Sequence, residues 1–244
     1  RVIAISNSKK MLFNENSLKL KNWKKNLLNS SLIADRKIFF DYIKTLNYRN
    51  SIFIDNTADK KIASEYSKYL KNNIGVVTCN KIACADKLSN YIELKNLSRK
   101  FGTSFLFETN VGAGLPVIDT LNNLRASGDK IIKIQAILSG SLNFIFNNFK
   151  KGLSFHDIVL KAEKEGFTEP DPKIDLSGVD VARKILILAR ESGYNLELKS
   201  IENNSFLPFF DLIPSKSKKL TSRVSQWQVY RQVAWARNTT LWRQ

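Results

Sequence analysis

Hydrophobic residues in the first half of the chain form short continuous runs, separated by segments with helical spacing. The continuous runs predict buried strands that begin at Val2, Ile52, Ile74 and Ser104, the first covering Val2–Ile5. Between them, periodic apolar positions predict helices over 31–50, 60–73 and 88–102. Strands that alternate with helices and are apolar on both faces indicate parallel βαβ units, so we predict an α/β domain over 1–115.

The pattern changes in the second half of the chain. Proline in the first turn predicts a helix over 116–126, and a strand follows over 130–138. Further helices are predicted over 139–153 and 154–166, before an acidic, proline-containing loop leads into a long helix. Periodicity decays after Pro208. We therefore predict an α+β domain over 116–208 and a separate basic tail over 209–244.

Composition narrows the class of protein. The 244 residues are 43% hydrophobic and 25% charged, which excludes a disordered or collagen-like chain. No apolar run reaches the roughly 18 residues of a membrane span, and no signal peptide opens the sequence. Two cysteines, Cys79 and Cys84, are too few for a disulfide framework. These features predict a reduced, cytoplasmic protein without a membrane partner.

The net charge of +17 suggests a polyanion partner at first sight. The excess is mostly lysine interspersed with Asn, Ile and Phe, residues that all have A/T-rich codons, and no zinc-finger or RNP motif is present. We therefore predict no specific nucleic-acid partner. A second interpretation stays open, in which the seven basic residues of the segment 211–244 attract nucleic acid without sequence preference.

One glycine-containing segment follows the last strand of the α/β domain. Ligands of parallel sheets bind at the carboxyl ends of strands, and here such an end reads ETNVGAG. Gly112-x-Gly114 lacks the third glycine of a dinucleotide fingerprint, because Val117 occupies that position. Two other interpretations remain: a tight turn that needs glycine dihedrals, or a turn whose carbonyls bind a hard cation beside Glu108.

The acidic loop gives the stronger signal. Glu169, Asp171 and Asp175 lie within seven residues, and Asp180 and Lys184 form an i, i+4 pair on the helix that follows. A lysine among carboxylates can donate a proton to a carbonyl that is being reduced, and the carboxylates can bind a substrate ammonium group. A capped helix with a surface salt bridge is the alternative, with Ser177 and Asp180 forming a capping box.

Three segments together resemble the homoserine dehydrogenase family: FETNVGAGLPVIDTL, ILSGSLNFIF and GFTEPDPKIDLSGVDVARKILILARESG. The opening NSKKMLFNENSLKLKNW is similar to the form that is fused behind an aspartokinase. The resemblance covers about residues 1–208 and implies a Rossmann-type NAD(P)-binding domain, then an α+β substrate and dimerisation domain. It also implies that the family's first strand and glycine-rich loop would precede Arg1, so we expect a truncated Rossmann-type domain.

The implied activity is the NAD(P)H-dependent interconversion of aspartate 4-semialdehyde and homoserine, in threonine and methionine synthesis, by a homo-oligomer. The alternative hypothesis is an inactive remnant, or a fragment that needs a partner. Whether the cofactor is NAD or NADP stays open.

The resemblance also implies roles for individual residues. Lys184 corresponds to the proton-transfer lysine and Asp180 to the carboxylate that orients the substrate. Substrate-binding roles fall on Glu169, Asp175 and Lys81. Cofactor-binding roles fall on Ser6, Asn7, Ser8, Thr57 and Lys81. A sodium site is implied at the Glu108 carboxylate and the carbonyls of Val111, Ala113 and Leu115.

Overall fold

A computed structural model of the chain describes residues 1–150, 154–168, 171–203 and 235–236. Contacts divide the chain into two compact units, Arg1–Asn80 with Ile92–Leu106, and Lys81–Tyr91 with Phe107–Gln244. The fold class is α/β, as predicted. Glu169 and the predicted tail, apart from 235–236, lie outside the described residues. No described helix has both the length and the apolar character needed to cross a membrane.

The elements follow one another in chain order in both units. Up to residue 106 they are β1 (Ala4–Ser6), β2 (Met11–Phe13), α1 (Trp23–Leu28), α2 (Arg36–Leu46), β3 (Ile52–Asp55), α3 (Lys60–Ala63), α4 (Tyr66–Lys71), β4 (Gly75–Thr78), α5 (Ile82–Ala85), α6 (Leu88–Phe101) and β5 (Phe105–Leu106). Beyond it they are α7 (Val117–Ala126), α8 (Gly140–Asn148), α9 (Phe155–Lys164), α10 (Pro172–Leu176), α11 (Val179–Glu191), β6 (Ile201–Glu202) and β7 (Trp235–Ala236).

A three-stranded parallel sheet in the order β3-β4-β5 forms the centre of the first unit. The parallel pairing confirms the predicted βαβ arrangement. Aromatic rings cover one face: Phe53 stacks on Tyr69 of α4 with ring centroids 4.1 Å apart, and Tyr69 contacts Phe40 of α2. On the opposite side β3 exposes Ile52 and Ile54 by 60% and 61%, so the prediction of a strand buried on both faces was wrong for β3.

The first strand exists, but the prediction that it is buried and belongs to the parallel sheet was wrong. Ala4–Ser6 is only partly buried and pairs antiparallel with Met11–Phe13, outside the parallel sheet. The Asn7 side chain closes the hairpin, because its Oδ1 accepts from the backbone N–H groups of Lys9 and Lys10 at 2.8 Å each. An apolar run predicts a strand without specifying its partner, and here the turn residue decides the pairing.

The helices of the first half follow their capping signals. Helix α2 begins after Asp35, whose Oδ1 accepts from the Ile38 N–H at 2.9 Å, and α6 is followed by left-handed Gly102. The helix predicted over 60–73 is divided into α3 and α4 by a turn at Ser64 and Glu65. The strand predicted to begin at Ser104 is reduced to β5. A short helix, α5, was not predicted.

Helices dominate the described part of the second unit. One apolar cluster joins α8, α9 and α10 through Leu142, Ile145, Ile158, Ala162 and Leu176. On α11, Leu186, Ile187 and Leu188 are buried. The strands β6 and β7 form a separate antiparallel pair.

The prediction of a strand over 130–138 was wrong. Among the described residues this segment pairs with no strand, and Ile132 and Ile137 are largely exposed. Side chains hold it instead: the Tyr194 hydroxyl donates to the Ile131 carbonyl at 3.0 Å, and the Lys184 ammonium donates to the Leu138 carbonyl at 2.7 Å. An apolar pattern is compatible with a strand, but a strand also requires a hydrogen-bonding neighbour.

A buried carboxylate organises the carboxyl ends of β3 and β4. Asp55 Oδ1 accepts from the Thr57 N–H at 2.8 Å, and Oδ2 accepts from the Tyr66 hydroxyl at 2.5 Å and the Asn80 amide at 3.1 Å. The Tyr66 hydroxyl also lies 2.8 Å from Thr78 Oγ1. These bonds connect the loop after β3 with the turn after β4 in one buried network.

Removing the Tyr66 hydroxyl tests this network. Tyr66→Phe is expected to lower the free energy of unfolding by about 1–3 kcal/mol, because the buried Asp55 carboxylate and Thr78 hydroxyl lose a partner. Urea unfolding measures the change. Tyr69→Phe is the matched control: Tyr69 is buried on the same helix, and no hydrogen bond of its hydroxyl is found within the described part of the chain. Equal losses for the two variants would contradict the proposed importance of the network.

Candidate active site

Three of the predicted site residues form one ion cluster in the second unit. The Lys184 ammonium lies 2.6 Å from Asp180 Oδ2, and the Lys81 ammonium lies 3.4 Å from Asp180 Oδ1. Asp180 and Lys184 are one turn apart on α11, so their side chains share a helix face. Lys81 immediately precedes α5, which packs against α11. The structure thus brings the Asp180 carboxylate together with two ammonium groups, one from α11 itself and one from the residue before α5.

Lys184 is held more firmly than a surface lysine. Its side chain is 16% exposed, and besides Asp180 its ammonium donates to the Leu138 carbonyl at 2.7 Å. Two acceptors fix the position of Nζ and leave one N–H donor uncommitted in the described structure. This arrangement differs from a flexible surface salt bridge and can present a proton to a bound carbonyl oxygen.

Electrostatics favour the charged form of the Asp180 carboxyl. Burial by itself raises its pKa, but the hydrogen bond and charge of Lys184, together with Lys81, outweigh burial and lower the pKa below its ordinary value. Because the pKa is lower in the folded chain, the ion cluster stabilises the fold at pH values above the ordinary pKa of aspartate. This stabilisation is lost as the pH falls through the lowered pKa.

The start of α11 differs from the predicted capping box. Gly178 occupies the N-cap position with a left-handed φ of 74°, and Ser177 instead ends α10. The bond that Ser177 Oγ accepts from the Val179 N–H is long, at 3.4 Å. Asp180 therefore lies in the first turn of α11 without a reciprocal cap, where the helix dipole favours its negative charge.

The described acidic residues of the loop have different roles, one as a helix cap and one as a candidate site residue. Asp171 caps α10 by accepting from the Lys173 N–H at 3.0 Å. Asp175 Oδ1 accepts from the Ser141 hydroxyl of α8 at 2.6 Å, which orients this carboxylate. Glu169 lies outside the described residues. Of the predicted substrate-binding carboxylates, the structure describes Asp175 alone.

The predicted cofactor residues of the first unit lie in two loops. Thr57 is exposed in the loop after β3, with its N–H bonded to Asp55, and its hydroxyl accepts from the Asp59 N–H at 3.1 Å. An exposed polar loop at the carboxyl end of a parallel strand fits a dinucleotide. Ser6 is the last residue of β1, and Asn7 and Ser8 lie in the hairpin turn that follows; the Ser6 hydroxyl donates to the Asn7 carbonyl at 3.1 Å.

The predicted cation loop begins with a carboxylate at a helix start. Glu108 Oε1 accepts from the Ile118 N–H at 2.7 Å and Oε2 accepts from the Asp119 N–H at 2.9 Å, so Glu108 caps α7. Between Glu108 and α7 the chain turns sharply, with left-handed φ values at Gly112 and Ala113. The Leu115 carbonyl accepts from the Val117 N–H at 2.9 Å, and Val111 is fully buried.

Sequence reasoning missed several partners of these residues. Leu138 binds Lys184 through its backbone carbonyl, and a pattern of side chains cannot predict such a contact. Ser141 stands in the segment ILSGSLNFIF, where a serine at a helix start signals a cap, while its actual partner Asp175 is 34 residues away. The Asp55, Tyr66 and Asn80 network was also missed, although an acidic residue at the end of an apolar strand was a visible signal.

Two family models match the chain. The NAD-binding domain of homoserine dehydrogenase matches residues 5–108, and the homoserine dehydrogenase model matches residues 116–240, which extends past Pro208 into the predicted tail. Fold and matches together define a chain of the dehydrogenase class, with a Rossmann-like NAD-binding domain followed by a homoserine dehydrogenase domain. The chain belongs to the homoserine dehydrogenase family.

The relatives agree with this assignment. The chain is 43% identical over 236 residues to the bifunctional aspartokinase/homoserine dehydrogenase of Haemophilus influenzae, covering 92% of this chain and 29% of that protein. It therefore spans less than a third of that relative. A Candida auris protein of unknown function has a crystal structure that matches with a TM-score of 0.77 at 33% identity, over 85% of this chain and 60% of that one.

A hyperthermophilic archaeal homoserine dehydrogenase, solved in complex with NADPH, has the same fold. It matches with a TM-score of 0.67 at 24% identity, over 83% of this chain and 67% of that one.

The turn before α7 provides a test of the loop geometry. In Gly112→Ala the new Cβ would lie 2.7 Å from Cγ2 of Val117, and φ of 82° disfavours any side chain, so we expect a loss of about 1–3 kcal/mol of stability. Gly114→Ala is the control, because nothing lies within 4 Å of its Cβ position. Thermal unfolding of both variants gives the comparison. An unchanged Gly112→Ala variant would show that the turn is not fixed as described.

Proposed function

We propose that this chain carries the dehydrogenase function of its family, the reversible reduction of aspartate 4-semialdehyde to homoserine with NAD(P)H. The observation that supports it most strongly is the Lys184 ammonium, fixed between the Asp180 carboxylate and the Leu138 carbonyl. Reduction of an aldehyde needs a hydride at carbon and a proton at oxygen. A positioned ammonium group can supply that proton.

Each described residue of the cluster has a separate task in this reaction. NAD(P)H, when bound, supplies the hydride. Lys184 donates its proton to the aldehyde oxygen as the alkoxide forms, and in the reverse direction its neutral amine accepts the hydroxyl proton. Asp180 orients the Lys184 ammonium through the ion pair between Nζ and Oδ2. After proton transfer, the amine is still held beside Asp180 and the Leu138 carbonyl, ready for reprotonation from solvent.

We assign the remaining predicted residues to the binding of substrate and cofactor. The substrate carries an ammonium group, which we assign to the carboxylates of Asp175 and Glu169. The Ser141 hydroxyl supports this role, because its hydrogen bond to Asp175 Oδ1 orients the carboxylate. Lys81 contributes positive charge toward substrate and cofactor. Thr57, Ser6, Asn7 and Ser8 are assigned to the cofactor.

A sodium ion at the loop before α7 belongs to the same proposal. Its ligands would be the Glu108 carboxylate and the carbonyls of Val111, Ala113 and Leu115, an all-oxygen set that suits a hard cation. The two N–H bonds to Glu108 do not prevent this, because each carboxylate oxygen can accept more than one bond. The family's intact enzyme is proposed to be a homo-oligomer in the cytoplasm.

Replacing the central lysine tests the proton-transfer role. Lys184→Met is expected to lower kcat for homoserine oxidation by about two to four decades, because no other described group holds an ammonium in that position. The Kd for NADPH, measured by fluorescence titration, should change little. Lys161→Met is the control, since Lys161 also pairs with a carboxylate four residues away but is exposed on α9. Abolished NADPH binding in Lys184→Met would assign the lysine to architecture.

Cation exchange tests the sodium site. At equal ionic strength, NaCl is expected to raise the melting temperature above that in choline chloride, because choline is too large for a loop of carbonyls. Glu108→Gln should remove this difference, whereas Asp157→Asn, an acid in the first turn of α9, should keep it. Identical melting temperatures of the unmodified chain in the two salts would exclude the site.

A further inference from the structure

The far end of α11 carries a buried arginine that is held on several sides. Arg190 is 3% exposed, and its Nη1 donates to the Cys84 carbonyl at 2.7 Å. Nε and Nη2 donate to the Leu196 carbonyl at 3.1 and 2.9 Å, and Nη2 lies 3.3 Å from Glu197 Oε2. The guanidinium also lies 5.3 Å from the ring centroid of Tyr91.

Burial and partners act in opposite directions on this group. Burial lowers the pKa of Arg190, while the neighbouring Glu197 raises it, and an arginine stays charged throughout. A buried charge is tolerated only where hydrogen bonds replace its hydration, so the guanidinium cannot shift without losing them. The Cys84 carbonyl is therefore fixed relative to α11.

Fixing Cys84 has a consequence for the ion cluster. Cys84 belongs to α5, a helix of a single turn that begins immediately after Lys81, and the Ala85 N–H bonds back to the Lys81 carbonyl at 2.9 Å. A rigid turn transmits the position of Cys84 to the Lys81 backbone. Arg190 lies ten residues after Asp180 on α11, about 15 Å along its axis. Helix α11 therefore makes two separate contacts with this segment: Arg190 near its end binds the Cys84 carbonyl of α5, and Asp180 near its start binds the Lys81 ammonium before α5.

We propose that Arg190 is a positioning residue that holds α5 on α11 and thereby places the Lys81 ammonium against Asp180. Its importance for catalysis rests on the proposed function, since Lys81 is one of the proposed ligand-binding residues. The placement itself can be measured without turnover. If the unmodified chain showed no dehydrogenase activity, the proposed function would be disproved. The test of Arg190 would still be valid, because it does not depend on turnover.

The pKa of Asp180 reports on the distance of Lys81. In the full chain it can be followed by ¹³C NMR titration of the aspartate carboxyls, with Asp180→Asn for the resonance assignment. Lys81→Met should raise the pKa, because one of the two charges that lower it is removed. Arg190→Lys keeps a positive charge but loses the planar fork, so it should raise the Asp180 pKa by at least half of the Lys81→Met shift.

A double variant and a matched control separate positioning from general destabilisation. Lys81→Met with Arg190→Lys should give no larger shift than Lys81→Met alone, because both changes remove the same charge from Asp180. Arg125→Lys is the control: Arg125 also donates to a backbone carbonyl at this end of α11, that of Glu191 at 2.8 Å, but from α7. It should leave the Asp180 pKa unchanged.

Two results would overturn the proposal. One is a folded Arg190→Lys chain, judged by circular dichroism, with an unchanged Asp180 pKa; the other is additivity in the double variant. If Arg190→Lys does not fold, Glu197→Gln decides, because Glu197 is partly exposed and its replacement weakens the hold on Arg190 without emptying the buried site. A raised Asp180 pKa in Glu197→Gln then supports the proposal, and an unchanged one contradicts it.

Discussion

The interaction on which the candidate site depends is the double ion pair of Asp180. One carboxylate on α11 binds Lys184 from its own helix at 2.6 Å and Lys81 from the start of α5 at 3.4 Å. Two ammonium groups beside one carboxylate would repel each other without that anion. With it, the site keeps two ammonium groups side by side, one proposed to transfer a proton and one proposed to attract the ligand. The lowered pKa of Asp180 keeps that anion charged.

The helix α11 supplies the rigidity that the cluster needs. Its consecutive residues Leu186, Ile187 and Leu188 are all buried, and its last turn is fixed by the buried side chains of Arg190 and Glu191. A charged cluster at one end of a helix keeps its geometry when the remainder of the helix cannot rotate. Polar residues at the carboxyl ends of β3 and β4 are fixed in a comparable way, by the buried Asp55 network.

Both candidate binding regions contain backbone that lies outside helices and strands. Leu138 receives a hydrogen bond from Lys184, and the loop before α7 turns through two left-handed residues that redirect its carbonyls. In both places the chain is irregular, and irregular backbone has carbonyl groups that regular hydrogen bonding does not consume. The segment 130–138 illustrates the point: it pairs with no strand in the described part of the chain, and its last carbonyl binds the lysine.

The sequence alone determined the alternation of strands and helices that is typical of a parallel sheet, and the helices α2, α6, α7 and α9. It also determined the pairing of Asp180 with Lys184, because a spacing of four residues places two side chains on one helix face. Motif resemblance identified the family. Only the tertiary structure decided long-range contacts. It assigned Ala4–Ser6 to an antiparallel hairpin, bonded Asp175 to Ser141, and added Lys81 to Asp180 across 99 residues of chain. Periodicity indicates which side of an element is buried. It does not indicate which partner covers that side, because the partner is decided by packing between residues far apart in the chain.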